Sequence, residues 1–484
     1  MSKQARVTGR RATISAASIE NHQPIHTYIH RGATRREYRQ RIMGGSAFLH
    51  ALAEGHPTLN TPRMSPELYA ARKTQYTAEL QAYFPGCEVL ALKEAPQKAD
   101  YGDVDFMVCT HRNLDMKDIA DFLGAAGVIG GGAGRCSVAV PQDGSRSPHP
   151  AVYYKATAGP GSKKQASSKI TEETYAQIDI ELVRPSMFAW HTFYTSYGDL
   201  AGLLGAIVHN IGFTVSDRGL YLRFQELDEA KQIQGIRVNN EEGLLLLSKK
   251  PEEVMRFLGL SPEKFEAGFA TMDAFYTWLA ESRLVTADIH IQSKRKNTSK
   301  QRQKERKRTT IGNFFEEFLP VYLNLDMDSD GTDITTEDDA PWPPPAMKKL
   351  RQQYAEEALH FFNKRSAYEI QHSTLMNWLR SQKCEQLIKP IVAKVSGKKE
   401  RKLAEVVRAF RRRVRFGDNG EPYIADMAHS DQESELCQWL DNADALRDVE
   451  AVRGWIDAHW EELKELERRE DIDPSQGPRG LQGK

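Results

Sequence analysis

Two carboxylates two residues apart in an otherwise apolar segment, Tyr101-Gly-Asp-Val-Asp-Phe-Met-Val108, constrain this chain more than any other feature. Side chains alternate along an extended strand, so Asp103 and Asp105 share one face while Val104 and Phe106 share the other. Paired carboxylates on a buried strand repel each other and lose hydration. A divalent cation relieves both costs, and magnesium takes a few carboxylates together with phosphate oxygens. The alternation returns in Gln177-Ile-Asp-Ile-Glu-Leu-Val183, with Asp179 and Glu181 opposite Ile178, Ile180 and Leu182. Asp103, Asp105 and Asp179 on neighbouring strands suit a two-metal phosphoryl-transfer site built on Mg2+ or Mn2+. In such a site Asp103 and Asp105 bridge both ions, and Asp179 completes the ion that activates the attacking hydroxyl. An edge strand whose acids are simply solvated is the alternative that the pattern leaves open.

The 484 residues divide by composition. Residues 1–62 are basic and rich in Ser and Thr, which predicts a partly disordered region with at most one helix near Arg35 to Glu54. Residues 63–185 alternate helical and strand patterns. Helical periodicity runs from Pro66 to Tyr83, and Pro85-Gly86 stops it. Strands are expected at Cys87–Leu92, Ser137–Val140 and Ala151–Ala156, and an amphipathic helix at Asn113–Ala126. Gly130-Gly-Gly-Ala-Gly134 follows a helix and does not open one, so it reads as a loop and not as a nucleotide cradle. Gly159–Lys169 reads as a second polar loop. Residues 186–290 turn to helical patterns. Residues 291–345 read as a linker, basic over Lys294–Arg308 and acidic over Asp326–Asp339, with a short apolar helix near Phe314–Leu319. Residues 346–470 are helical and highly charged, and 471–484 form a disordered tail.

The formal net charge is zero, which argues against a uniformly basic nucleic-acid coat. Five scattered cysteines without a CxxC pair point to free thiols in a reducing compartment. The N-terminal segment lacks the apolar stretch of a secretory signal, and Leu200–Phe213 is too short to span a bilayer. These features predict a soluble intracellular protein.

From Pro66 to Pro262 the chain resembles the nucleotidyltransferase superfamily, and within it the palm and thumb of family X DNA polymerases. The likeness rests on the order Phe84-Pro-Gly-Cys-Glu-Val-Leu90, Gly102-Asp-Val-Asp-Phe-Met-Val108 and Ile178-Asp-Ile-Glu-Leu-Val183. It continues with Phe193-Tyr-Thr-Ser196, Ile211-Gly-Phe-Thr-Val-Ser-Asp-Arg-Gly-Leu220 and Lys250-Pro-Glu-Glu-Val-Met-Arg-Phe-Leu-Gly-Leu260. The resemblance implies an α/β (α+β) fold: a mixed sheet with helices, then a helical thumb-like subdomain and a helical C-terminal region. It also implies an NTP or dNTP donor and a hydroxyl acceptor, most simply a nucleic acid 3′-end. The family's Gly-Ser triphosphate motif is absent where it belongs, at Ala91–Lys98, and Gly44-Gly45-Ser46 lies too early in the chain to replace it. Lys93 and Lys98 are then the phosphate contacts. Ser196 stands where the family has glycine in the sugar-binding turn, and Ala201 and Gly205 stand where it has Asn and Arg. Acids kept and cradle altered fits a diverged transferase. It equally fits a catalytically inactive nucleic-acid-binding or scaffold protein, and transfer to a protein or small molecule is a third reading.

Asp326–Glu337 satisfies an EF-hand pattern, but Pro320 and Pro341–Pro345 deny it flanking helices, so an acidic linker is the better reading. Lys294–Arg308 reads as a nuclear-localisation or nucleic-acid-binding arm, with a solvated insertion as the alternative; the nucleus is preferred over the cytoplasm. In Lys398–Phe416, Leu403, Val406, Val407, Phe410 and Val414 make a core-facing stripe. The arginines around it either hold a phosphate backbone or are balanced by the acids of Glu461–Glu470. His191 and His209 have no partner at ligand spacing. Tyr194 is the aromatic chosen as a nucleotide contact.

Overall fold

The computed structural model describes residues 45–112, 115–132, 134–156, 169–239, 243–290, 309–325, 345–419, 421–425, 438–442 and 444–472. The expectations for residues 1–44, the lysines of the Gly159–Lys169 loop before 169, the Lys294–Arg308 run, the Asp326–Asp339 run and the tail beyond 472 fall outside them.

Ser65 starts the first helix. Its hydroxyl accepts from Leu68 N–H, and Pro66, which has no N–H to satisfy, fills the first helical position of α1 (Pro66–Tyr83). Tyr69, Tyr76 and Leu80 form the buried stripe, and Phe84 closes the helix fully buried. The chain then lays down β3 (Val89–Ala91) and β4 (Asp103–Cys109), the second predicted from alternation. Helix α2 (Met116–Phe122) is capped by Asp115 and is shorter than the periodicity suggests, because Gly124 turns out of it at φ +65°. Strands β5 (Gly127–Gly130) and β6 (Arg135–Pro141) form a hairpin closed by the glycine loop, where Gly131 N–H donates to Arg135 O. β7 (Val152–Ala156) and the 14-residue β8 (Ile170–Val183) complete this half of the sheet.

The segment before α1 does not follow the expectation of a helix. It forms a short 3-10 turn (Phe48–His50) and two short strands, β1 (Ala51–Leu52) and β2 (Thr58–Asn60). β1 pairs with β7 and β2 runs parallel to β8, so the sheet takes in residues that composition assigned to a basic tail. Phe48 and Leu59 are buried there with Tyr154 and Tyr175. The order is β1-β7-β5-β6-β8-β4-β3, with the parallel pair β8 and β4 next to the β3 edge. One face is sealed by α1 and α2 over Val104, Phe106, Val108, Val138, Ile178 and Ile180. Burying this face is the main stabilising contribution, about 1.5–3 kcal/mol for each large aliphatic or aromatic side chain.

Beyond β8, Pro185 opens α3 (Pro185–Thr195), which crosses the other face near Met107 and Val183. Helix α4 (Leu200–His209) follows. This subdomain is not purely helical. Phe213, Leu220, Leu222, Leu245 and Leu247 recur at period two, and they build an antiparallel sheet of β9 (Phe213–Ser216), β10 (Gly219–Arg223) and β11 (Leu244–Ser248). Helices α5 (Gln225–Ala230), α6 (Pro251–Leu258), α7 (Pro262–Ala267) and α8 (Met272–Ala280) pack around Trp190, Phe193, Tyr197 and Trp278.

Residues 309–322 are helical and insert Ile311, Phe314 and Leu319 into that same core, so this part of the 291–345 stretch packs as structure and not as linker. Pro320 falls in the first turn of Leu319–Tyr322, directly after a π-turn over Asn313–Phe318. Helices Pro345–Phe361 and Arg365–Lys383 extend this core through Met347, Leu359, Leu375 and Leu379. Helices Lys389–Ser396, Glu400–Arg413 and Val449–Ile472 form a separate core around Val406, Phe410, Ile456 and Leu463. Among the described residues, Cys87, Cys109, Cys136 and Cys384 are free thiols, and no helix is long and apolar enough to cross a membrane.

Candidate active site

The register of β4 against β8 fixes the site. Asp105 lies opposite Asp179, Asp103 opposite Gln177, and Met107 opposite Glu181. On the far side of β8, Ser137 faces Asp179 and Arg135 faces Glu181. Side-chain alternation puts all of these on the face away from α1 and α2. Three rungs therefore run along the open face: Asp103–Gln177, then Asp105–Asp179–Ser137, then Met107–Glu181–Arg135. One carboxylate oxygen each from Asp103, Asp105 and Asp179 lies within 4.8 Å of the others.

The first rung carries a feature that sequence reasoning set aside. Gly45 N–H donates to Asp103 Oδ2 at 3.1 Å, and Ala47 N–H donates to Gln177 Oε1 at 3.1 Å. Gln177 in turn donates from Nε2 to Asp179 Oδ1 at 2.9 Å. The Gly45–Ala47 turn thus grips one acid of the cluster directly and another through a buried amide. Only glycine fits at 45. Its φ is +84°, and a Cβ there would sit 2.1 Å from the carbonyl oxygen of Gly102, the residue just before Asp103. Thr61 Oγ1 anchors the turn by donating to Gly45 O at 3.0 Å. The sequence distance of 58 residues that argued against Gly45-Ser46 is spanned because β1, β2 and α1 return the chain to the same sheet. The Gly-Gly-Ser tripeptide was itself the signal; what hid it was its place in the chain.

Electrostatics set Asp103 apart. Burial, then the charge of Asp179, then that of Glu94, push its carboxyl up to about 7, against the opposing pull of Gly45 N–H and Lys98. Glu94 is a further acid that alternation could not reveal, because it lies in the loop after β3. Its carboxylate pairs with Lys98 and lies 3.5 Å from the Tyr69 hydroxyl. Burial and the charges of Glu94 and Asp105 raise the Tyr69 phenol, which stays protonated. Tyr69 stacks on Tyr101 with ring centres 3.9 Å apart, and Lys98 Nζ sits 5.5 Å over the Tyr101 ring. Lys98 thus stands beside the acids, within electrostatic reach of Asp103.

Lys93 is directed elsewhere. Its ammonium donates to the carbonyls of Phe265 (3.0 Å) and Glu266 (2.9 Å) and to Glu266 Oε2 (2.8 Å), at the C-terminal end of α7 where a cation complements the helix dipole. Tyr197, held at φ +54°, donates its N–H to Lys93 O and its hydroxyl to Phe265 O. Gln97 Oε1 accepts from Met272 N–H at the start of α8. Lys93 is a tether between the loop carrying Glu94 and Lys98 and the helical subdomain, and its expected phosphate role gives way to that contact.

On the third rung, Glu181 pairs with Arg135, and His191 Nδ1 on α3 lies 3.6 Å from Glu181 Oε1. Burial alone would raise the Glu181 carboxyl; His191 and Arg135 outweigh it and hold it below the usual glutamate range. His191, which has no ligand-spaced partner in sequence, has one across the fold. Tyr194, three residues further on α3, shares that helical side and packs half-buried against the subdomain core.

The arginine-rich helix resolves toward internal balance. Arg408 Nε and Arg412 Nη1 both donate to Glu467 Oε1, at 2.6 and 2.9 Å, and Glu467 is buried. Arg413 and Arg415 are buried too, and their guanidinia donate to backbone carbonyls of Ala425, Val414 and Arg412.

No family model matches the chain, and no curated protein matches it in sequence. Among solved structures the chain is similar to a polymerase beta of Leishmania infantum in a ternary gap complex. That match has 10% identity and a TM-score of 0.27, and covers 41% of this chain and 68% of the other. Likeness at that level carries no argument, and the functional reading rests on the site itself.

Proposed function

We propose that this protein is a metal-dependent nucleotidyltransferase that moves a nucleotidyl group from an NTP or dNTP to a hydroxyl acceptor, most simply a nucleic acid 3′-end. One observation carries the reading: Asp103, Asp105 and Asp179 converge within 4.8 Å on the open face of the sheet. A set of hard carboxylate oxygens suits Mg2+ or Mn2+ and not a soft metal. The Asp103 carboxyl is raised first by burial and then by the charges of Asp179 and Glu94, which Gly45 N–H and Lys98 only partly offset. Asp103, Asp105 and Asp179 would hold the ions. When bound, they neutralise phosphate charge and ease deprotonation of the attacking hydroxyl.

The chain's own groups divide the remaining work. The Gly45–Ala47 turn brings backbone close to the first rung, where its N–H groups hold Asp103 and Gln177 in place, and glycine at 45 permits that approach. Gln177 fixes the rotamer of Asp179. Lys98 supplies positive charge to phosphate on exchanging its Glu94 partner. Tyr194, one helical turn beyond His191 on α3, is the aromatic assigned to contact the nucleotide in this reading.

Purified protein with Mg2+ or Mn2+ and labelled NTPs or dNTPs is expected to extend an oligonucleotide. Asp103→Ala, Asp105→Ala and Asp179→Ala should each lower the rate by at least about two orders of magnitude. Equal incorporation by these variants, or none by the wild type, sinks the enzymatic reading and favours a scaffold that keeps the fold.

A further inference from the structure

The loop from Leu92 to Gly102, between β3 and β4, is fastened near both ends to the sheet and its approach. Leu92 N–H donates to Asp105 O at 3.0 Å, and Tyr101 exchanges backbone bonds with Met64. Between those ties its side chains turn two ways. Glu94 and Lys98 pair with each other beside the acid cluster, where both charges act on Asp103. Lys93 and Gln97, each one residue earlier, turn to the helical subdomain. Lys93 Nζ donates to Phe265 O, Glu266 O and Glu266 Oε2, its carbonyl accepts from Tyr197 N–H at 2.6 Å, and Gln97 Oε1 accepts from Met272 N–H at 3.1 Å. Backbone on both sides of this contact is strained, with Gln97 at φ +58° and Tyr197 at φ +54°. Among the described non-glycine residues other than Asn, only Glu400 shares that region. Strain of this kind persists where surrounding contacts dictate position. The ion pair itself stabilises little, since the Lys93 side chain is 32% exposed and that of Glu266 72%. Its geometry fixes position more than it adds stability.

We infer that Lys93 and Gln97 are positioning residues, which strap this loop to the helical subdomain and so hold Lys98 where it meets the phosphates of a nucleotide bound at the acid cluster. The inference rests on the transferase reading of the triad. Lys93 and Gln97 do not touch the nucleotide themselves; they act through Lys98. A lysine carries its charge on a flexible four-carbon stem, so its ammonium keeps one place only when the backbone beneath it is fixed. The ties at 93 and 97 immediately precede Glu94 and Lys98 and supply that fixing point from outside the sheet. Two consequences separate this from a purely structural tie. Cutting the strap weakens nucleotide binding only while Lys98 is present. By the reciprocity of coupled sites, bound nucleotide also steadies the contact between loop and subdomain.

The test uses the full chain with Mg2+ and an NTP, without acceptor, in a calorimetric titration. Amide hydrogen exchange over residues 92–98 and 265–272 runs in parallel. Lys93→Met should weaken NTP binding by about fivefold or more. Its melting temperature should stay within about 4 °C of the wild type. Lys93→Arg keeps the charge and the donors and should recover most of the loss, while Gln97→Leu should weaken binding in the same direction. In a Lys98→Gln background, Lys93→Met should change NTP affinity by less than about twofold, because nothing is left for it to position. NTP should slow exchange at 265–272 in the wild type and lose that effect in Lys93→Met. Should Lys93→Met not fold, Gln97→Leu with and without Lys98→Gln decides the matter. Wild-type NTP affinity in Lys93→Met, an equal loss with and without Lys98, or wild-type affinity in Lys98→Gln overturns the inference alone. A wild type that binds no NTP removes the transferase reading, and the inference falls with it.

Discussion

Asp103→Asn in metal-free buffer should make the protein more stable near neutral pH. The Asp103 carboxyl stands at about 7 in the fold against an ordinary 3.8, raised first by burial and then by Asp179 and Glu94. A carboxyl raised by folding leaves stability intact below its unfolded value and removes it as pH climbs through the folded value. The window here therefore runs from about 4 to about 7. At 1.36 kcal/mol per pH unit the full loss is on the order of 4 kcal/mol. About half of it accrues between pH 5.5 and pH 8 on the same relation. Asparagine keeps an oxygen for Gly45 N–H, which donates at 3.1 Å, and drops only the charge. Thermal melts in EDTA should show the variant gaining on the wild type by roughly 2 kcal/mol across that interval. Added Mg2+ should then restore the wild type, following RT ln(1 + [L]/Kd), and leave the variant much less affected. A variant no more stable than wild type near pH 8, or a gap that does not move with pH, would refute the claim that the acids are crowded and await a cation.

Other substitutions probe the supports of the site. Gly45→Ala should cost roughly 2–5 kcal/mol in denaturant titrations, since it combines a φ of +84° with a backbone clash against Gly102. Gln177→Leu leaves Ala47 N–H without its acceptor and should cost about 1–3 kcal/mol, with weaker Mg2+ binding as Asp179 loses its orienting bond. Lys93→Met should change stability by only about 1 kcal/mol, because Glu266 is largely exposed. Its larger effect should be faster proteolysis in the loop around Glu94 and Lys98. Glu467→Ala should destabilise the C-terminal core by about 3 kcal/mol, since it strands Arg408 and Arg412 beside a buried position.

Much of this molecule was legible before folding was considered. The alternation in 101–108 and 177–183 set which side chains share a face, because a strand's period of two leaves no freedom once one face is buried. The same rule put Asp103 and Asp105 on one face of their strand and Asp179 on one face of its own. Local chemistry also fixed helix starts such as Ser65-Pro66. The helical reading of 186–290 overlooked β9–β11, whose short apolar runs look alike in either period.

What only tertiary structure decided is contact between residues far apart in the chain. No periodicity predicts that a glycine at 45 lies against Gly102, that Lys93 reaches α7, or that His191 finds Glu181. Nor could it say that the arginines of the C-terminal helix turn to Glu467 rather than to solvent. Sequence pattern records which face a side chain occupies; what meets that face depends on how the sheet twists and where the connecting chain returns. The acids were therefore written in the sequence, and their surroundings were set by the fold.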